Sequence, residues 1–145
     1  MCPPVDAFLG PSSKGLRPVR PGGFVIHDSA ADTLGPCLDD LCAVRDEVVA
    51  VDSGPTDGSL ELARARGVRV IAQPREGFGA ARVIAARELS HCDYLFFLDS
   101  DERLAAHGAE KILAWKNSAP TRACYRVQRH DWAELADRRF LFRSE

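Results

Sequence analysis

The chain has 145 residues, of which 46% are hydrophobic and 28% are charged, and its formal net charge is −2. These values are typical of a single globular domain with a hydrophobic core. They give no basic surface for nucleic acid, and no apolar stretch approaches the roughly 20 residues of a membrane span. Because residues 1–10 also lack a secretory signal, we expect a cytoplasmic protein without a transmembrane segment that binds no nucleic acid.

The first elements follow from composition and spacing. Residues 1–23 are rich in proline and glycine, which resist both helix and strand, so we predict a flexible leader there. A single domain is predicted over residues 24–145, and it opens with a short apolar strand over residues 24–27. A helix over residues 31–44 follows, because its leucines recur at helical spacing.

The middle of the chain alternates between strand and helix patterns. Residues 47–51 form a continuous, β-branched apolar run, which is typical of a strand buried on both faces. A turn over residues 53–58 leads into a second helix. A third strand over residues 68–71, a third helix over residues 80–89 and a fourth strand over residues 94–98 come next. This β-α-β-α-β-α-β order predicts an α/β fold with a mainly parallel sheet.

The last part of the chain is predicted to hold a helix over residues 105–115 and then a hairpin. The strands of this C-terminal hairpin would be residues 123–128 and residues 139–142. An exposed hairpin invites pairing with a second copy of the chain, so a homo-oligomer is left open.

The five cysteines show no C-x-x-C pair, so the sequence predicts no zinc site. An odd number of cysteines in a protein expected to be cytoplasmic favours free thiols that are buried or half-buried.

Acidic residues follow two of the predicted strands at the point where each strand ends. Asp52 and Ser53 follow the second strand, and Asp99, Ser100 and Asp101 follow the fourth. In open α/β sheets, ligands bind outside the carboxyl ends of the strands. In an extended segment, the Cα atoms of Asp99 and Asp101 would be about 6.6 Å apart. This spacing suits two carboxylates that bind one hard cation together with phosphate oxygens. The pattern predicts a site for a metal and a phosphorylated ligand, and a solvated acidic loop is the alternative.

A basic residue at the start of the third helix supports the same site. Arg82 lies in the first turn, after a glycine-containing loop, where a cation beside free N–H groups suits phosphate. From this pattern alone, a surface arginine without a ligand remains the alternative.

Three segments together resemble the family 2 glycosyltransferases of the GT-A fold, and most of all the bacterial lipopolysaccharide-core-type enzymes. Residues 49–59 match the family's V-V-D-S-G-S-T-D-G-T, residues 77–85 match G-F-G-x-x-R-N-x-A, and residues 98–102 match the D-x-D signature. The resemblance covers about residues 24–143. It implies a Rossmann-like three-layer sandwich and an inverting transferase that moves a hexose from a nucleotide-diphosphate donor to an acceptor hydroxyl.

The resemblance also implies roles for individual residues near the nucleotide. Asp52 and Ser53, with Ile26 at the end of the first strand, would lie against the base. Arg82 would lie near the base or the diphosphate. Uridine is the commonest base in the family, so a UDP-sugar is the expected donor.

A metal is implied by the same resemblance. Asp99 would approach the ribose, Ser100 would belong to the nucleotide-sugar site, and Asp101, together with Asp99, would bind Mg²⁺ or Mn²⁺ bridging the diphosphate. The metal would act as a Lewis acid that stabilises charge on the departing nucleoside diphosphate.

The chain departs from the family pattern in ways that leave the catalytic base open. His27, Asp28 and Ser29 stand where the family has a T-x-N-E type sequence, Pro55 replaces a serine, and Val83 replaces an asparagine. The acceptor region after the D-x-D strand is short. Its connecting loop holds the weak candidates for the base, Asp131 and Asp137, beside Glu134, and a solvated loop charge is the alternative for each.

The short acceptor region also leaves the activity open. A non-catalytic module that binds a nucleotide-sugar, or a partner subunit of a fuller transferase, is therefore the alternative function. A nucleotidyltransferase is disfavoured, because no glycine-rich basic loop follows the first strand.

Overall fold

The computed structural model describes residues 18–54, 57–74, 76–129 and 140–141. The order of helices and strands agrees with the predicted α/β pattern. The elements are β1 Pro21–His27, α1 Ala31–Val44, β2 Glu47–Asp52, α2 Ser59–Ala65, β3 Arg69–Ala72, α3 Phe78–Glu88, β4 Tyr94–Asp99, α4 Gly108–Asn117, β5 Gln128–Arg129 and β6 Phe140–Leu141.

The central sheet has four parallel strands in the order β3-β2-β1-β4. Strand β1 lies between β2 and β4, and its last residues pair with both neighbours. His27 is in register with Asp52, and Ile26 is in register with Asp99. All four strands therefore end at one edge, here named the carboxyl edge, and begin at the opposite amino edge.

Helices cover both faces of the sheet, which confirms the predicted three layers. On one face, α1 and α2 pack against Val25, Val48 and Ala50. On the other face, α3 packs through Ala81 and Ala85 against the alternate strand residues. Because side chains alternate across a strand, continuously apolar strands can fill both interfaces.

Strand β1 begins at Pro21, three residues earlier than predicted, so the predicted boundary of the leader is corrected there. Proline at the first strand position costs little, because its missing N–H lies at the end of the ladder. Gly22 and Gly23 are buried, and a Cβ on Gly23 would lie 2.8 Å from the Cγ atom of Arg45. Close packing requires glycine here. Residues 1–17 lie outside the described residues.

The C-terminal part is described more sparsely. Strands β5 and β6 pair antiparallel, as predicted for the hairpin, although β5 begins only at Gln128 and not at residue 123. Asp131 and Asp137 lie outside the described residues, so their role as the base stays a prediction. None of the helices in the described ranges is long and apolar enough to cross a membrane.

Two of the described cysteines differ from the prediction of free thiols that are buried or half-buried, because Cys42 is not free and Cys124 is exposed. Cys37, Cys92 and Cys124 are free thiols, but Cys42 is disulfide-bonded. Spacing along the sequence could not indicate this bond, because disulfide pairing depends on distances in the folded chain.

Candidate functional site

A cleft of about 750 Å³ opens at the carboxyl edge of the sheet, between the N-terminal turns of α1 and α3. Parallel α/β sheets bind ligands at this place, because loops and helix N-termini converge there. The lining residues come from β1, the start of α1, the loop before α2, the start of α3 and the end of β4: Ile26, Asp28, Ser29, Ala30, Ala31, Asp32, Thr33, Asp57, Phe78, Arg82, Asp99, Ser100 and Asp101.

The acidic segment after β4 forms a closed turn. The backbone N–H of Glu102 donates to the carbonyl of Asp99 at 2.9 Å, and the Glu102 carboxylate accepts from the Asp99 N–H, also at 2.9 Å. Glu102 therefore holds the turn together. Asp99, Ser100 and Asp101 line the cleft, as the D-x-D prediction requires.

A buried thiol supports this turn from below. The thiol of Cys37, on α1, donates to the Asp99 carbonyl at 3.4 Å. Burial, reinforced by nearby Asp40 and Glu102, raises the pKa of the Cys37 thiol to about 12. The group therefore stays protonated at neutral pH and can act as a donor.

Arg82 brings a positive charge to the same end of β4. Its Nη2 atom lies 3.9 Å from Asp99 Oδ1, and its guanidinium carbon lies 5.3 Å from the centre of the Phe97 ring. Both side chains of the Arg82–Asp99 pair are nearly half exposed. Because an exposed pair of this kind is weak, the guanidinium remains available to an anionic ligand.

Asp57 joins the starts of two helices at the wall of the cleft. Its Oδ2 atom accepts from the N–H of Ala31 at 2.8 Å, and its Oδ1 atom accepts from the hydroxyl of Ser59 at 2.6 Å. The Ser59 hydroxyl bond, followed by the Ala31 N–H, lowers the pKa of the Asp57 carboxyl. Asp57 thus links the starts of α1 and α2.

Asp52 and Ser53 lie at the end of β2, beside the cleft lining but not in it. Asp52 is buried, and its Oδ1 atom accepts from the N–H of Gly54 at 2.6 Å. Gly54 has a φ of +97°, which only glycine adopts readily, so the chain can fold back onto the carboxylate. Asp52 and Asp99 flank β1 at one edge, about 10 Å apart across two strand spacings.

His27 is the last residue of β1 and is only 1% exposed. Neither of its ring nitrogens has a hydrogen-bond partner within the described part of the chain. Burial lowers the pKa of His27, although the neighbouring charges of Asp52, Asp57 and Asp28 oppose this shift. The ring is therefore held neutral near physiological pH.

Several residues that line the cleft were not predicted as site residues. Asp28, Ser29, Asp32 and Thr33 follow β1 and open α1, and Phe78, which is 70% exposed, opens α3. Their position after a strand of the parallel sheet was the available signal. In the sequence, the segment after β1 is notable mainly because it departs from the T-x-N-E type sequence of the family.

Residues 25–143 match the family model of glycosyl transferase family 2. The chain belongs to this family. Among curated proteins, the chain is 27% identical over 105 residues to an uncharacterized glycosyltransferase of Rickettsia felis, covering 64% of this chain and 37% of the relative. It is 34% identical over 87 residues to the glycosyltransferase AglJ of Haloferax volcanii, covering 57% of this chain and 28% of the relative. The chain thus spans 37% of the first relative and 28% of the second.

Solved structures agree on the fold. The structure of TarS residues 1–349 from S. aureus superposes with a TM-score of 0.57 at 22% identity, covering 68% of this chain and 32% of TarS. The glucosyl-3-phosphoglycerate synthase of Mycobacterium tuberculosis, solved with UDP, gives a TM-score of 0.50 at 21% identity, covering 58% of this chain and 34% of the synthase. The expected GT-A fold is confirmed.

Proposed function

We propose that this chain binds the donor in a metal-dependent, inverting glycosyltransferase that moves a hexose from a UDP-sugar to an acceptor hydroxyl. One observation carries the proposal: Asp99, Asp101 and Arg82 converge in a single cleft at the carboxyl edge. Membership of glycosyl transferase family 2 supports it.

The residues of the cleft fit a hard divalent cation. Asp99 and Asp101 supply carboxylate oxygens, and within the described part of the chain no cation forms an ion pair with Asp101. Mg²⁺ and Mn²⁺ favour a few carboxylates together with phosphate oxygens and water. When bound, the ion would stabilise negative charge on the departing diphosphate.

The remaining cleft residues, together with Asp52 and Ser53 beside the cleft, would hold the nucleotide. Arg82 would bind diphosphate oxygens through charge-assisted hydrogen bonds, close to the first N–H groups of α3. Ile26 and Ser100 would contact the nucleoside. Asp52 uses Oδ1 for the Gly54 N–H, which leaves Oδ2 to accept from an N–H of the base, with Ser53 beside it.

Binding without transfer is the second candidate function. The chain covers only 37% and 28% of the two curated relatives, and no residue in the described ranges is assigned as the base. Incubation of the purified chain with UDP-sugars and Mn²⁺ distinguishes the two functions. Release of UDP with sugar transfer or hydrolysis supports the enzyme, and intact donor supports the binding module.

Calorimetric titration of UDP tests the donor site. We expect the wild-type chain to bind UDP in the presence of Mn²⁺, and Asp101→Asn to bind it at least about tenfold more weakly, because a metal ligand is lost. Glu61→Gln, an exposed acid in the first turn of α2, is the matched control and should bind as wild type. Equal affinities for the wild type and Asp101→Asn would remove the proposed metal role.

A further inference from the structure

Three metal-ligating side chains converge at the amino edge of the sheet, opposite the cleft. The ligand atoms of Glu47, His91 and Cys92 all lie within 4.8 Å of one another. We propose that this cluster is a second metal site, which binds Zn²⁺ or a cation of similar preference through one carboxylate oxygen, one imidazole nitrogen and one thiolate sulfur.

The fold builds this cluster from a strand and a tight turn. Glu47 opens β2 and is in register with Gly22 of β1. A Cβ on Gly22 would lie 2.9 Å from the Cys92 sulfur, so the glycine provides the space that the thiol occupies beside Glu47. His91 and Cys92 lie in the turn from α3 to β4, where the Cys92 N–H donates to the Leu89 carbonyl at 2.9 Å.

The ligand atoms of this cluster favour a different kind of metal ion from the ion proposed for the cleft. Thiolate and imidazole favour Zn²⁺ over Mg²⁺ and Mn²⁺, and three protein ligands leave a fourth tetrahedral position for water. His91 Nε2 now lies 2.6 Å from Glu47 Oε2, which is a hydrogen-bond distance. On a shared ion, the two atoms would separate to about 3.3 Å. His91 is about half exposed, so its side chain is free to make this small movement.

Metal binding at this cluster is a proton exchange. The ion would bond to the thiolate sulfur, the imidazole Nε2 and a carboxylate oxygen; the thiol proton would pass to solvent, the neutral imidazole would keep its proton on Nδ1, and no oxidation takes place. Without an ion, burial and the charge of Glu47 raise the pKa of the Cys92 thiol. Nearby Asp46 and Asp93 act in the same direction, and Arg20 opposes them.

The surroundings offset the positive charge of Arg69, which lies beside Glu47. Arg69 donates to the other oxygen of Glu47 at 3.1 Å, but it also forms an ion pair with Glu88. Arg69 therefore orients Glu47, as outer partners of metal ligands commonly do, while Glu88 offsets its charge. The C-terminal end of α3, which ends at Glu88, adds a negative helix-dipole end that favours a cation.

Titration of the untagged, full-length chain with Co²⁺, which reports a thiolate ligand through a charge-transfer absorption band, tests the site. We expect the band to saturate at one equivalent and to be displaced by Zn²⁺. Cys92→Ser should abolish it, and His91→Ala should weaken Co²⁺ binding at least about tenfold. Cys124→Ser, which removes an exposed thiol elsewhere, and Asp101→Asn, which changes only the cleft, are matched controls that should keep the band.

Three results would overturn the proposal: no band in the wild type at saturating Co²⁺, a band that persists in folded Cys92→Ser, or a band that disappears in Cys124→Ser. If circular dichroism shows that Cys92→Ser does not fold, the exposed His91→Ala variant decides, and an unchanged Co²⁺ affinity would reject the site. No nucleotide enters the experiment, so its outcome is independent of the proposed transferase function.

Discussion

The two edges of the parallel sheet both carry carboxylates, but they differ in how these charges are neutralised. At the amino edge, Asp46 pairs with Lys116, and Glu47 contacts Arg69 and His91. At the carboxyl edge, Asp99 and Asp101 line an open cleft, and the nearest paired cation, Arg82, is 3.9 Å from Asp99. The two edges therefore differ in how many of their carboxylates are paired with cationic side chains, and not in whether they carry carboxylates. Asp46 and Glu47 are held by cationic side chains of the protein, whereas Asp99 and Asp101 have at most the longer contact to Arg82 within the described residues and are open to a ligand.

The largest expected effect comes from breaking the most buried pair at the amino edge. The Lys116 and Asp46 side chains are 14% and 7% exposed, and the second oxygen of Asp46 already has no partner in the described residues. Lys116→Met would leave this carboxylate buried without its hydrogen-bonded counter-charge, so we expect a loss of about 3 kcal/mol of unfolding free energy. Urea denaturation measures it.

Lys111→Met is the control for that experiment, because Lys111 is exposed on the same helix. We expect it to change the unfolding free energy by less than about 0.5 kcal/mol. If both variants lost the same stability, the Lys116–Asp46 pair would not be the cause.

A smaller effect, confined to ligand binding, is expected at the carboxyl edge. Arg82→Gln should weaken UDP binding about tenfold, because a charge-assisted contact to phosphate contributes about 1.5–3 kcal/mol. Stability should hardly change, since the Arg82–Asp99 pair is exposed. Arg87→Gln, an exposed arginine in the last turn of α3, should bind UDP as wild type. An equal loss in both variants would argue against a specific phosphate contact.

The buried His27, at the carboxyl edge, should make the unfolding free energy depend on pH. Because burial lowers its pKa in the folded state, the unfolded chain takes up a proton near pH 6.5 that the folded chain resists. Stability should therefore fall as the pH drops below about 6.5, by at most about 1.4 kcal/mol per pH unit, and His27 should contribute no slope above that range.

Urea midpoints measured from about pH 8 down to about pH 5 test this slope. His27→Thr should remove it, whereas His107→Thr, a substitution of an exposed histidine just before α4, should keep it. An identical pH slope in wild type and His27→Thr would assign the effect to other groups.

The smallest effect is expected for Arg69 at the amino edge. Its pairs with Glu47 and Glu88 are partly exposed, so Arg69→Ala should cost less than about 1 kcal/mol in unfolding free energy. Raising the salt concentration should reduce this difference further, because exposed charges are screened. A loss that is large and independent of salt would show that Arg69 serves packing rather than charge.

The sheet and much of the cleft could be predicted from the sequence. Strands β2 and β4 are continuous apolar runs, and their acids follow directly, so the carboxyl edge was predictable from pattern alone. Arg82 was identified from its place in the first turn of a helix after a glycine-containing loop. These features depend on residues that are close together in the sequence, so sequence patterns can predict them.

Features that depend on tertiary contacts could not be predicted in this way. The Asp57 carboxylate reaches the N–H of Ala31, which lies 26 residues away, and Glu47 meets His91 across 44 residues. The start of β1 at Pro21 was missed because the glycine and proline content indicated a leader. In the structure, the glycines allow close packing, with the Arg45 side chain against Gly23. Cysteine spacing likewise gave no indication that Cys92 would meet a histidine and a carboxylate.

The thiol of Cys37, which supports the acidic turn from beneath, has a consequence for chemical labelling. With a pKa of about 12, it holds almost no thiolate at neutral pH, and it is fully buried. Alkylating reagents should therefore spare Cys37 and, among the described free cysteines, react first with Cys124, which is exposed. A fluorophore attached at Cys124 would leave the cleft chemically intact.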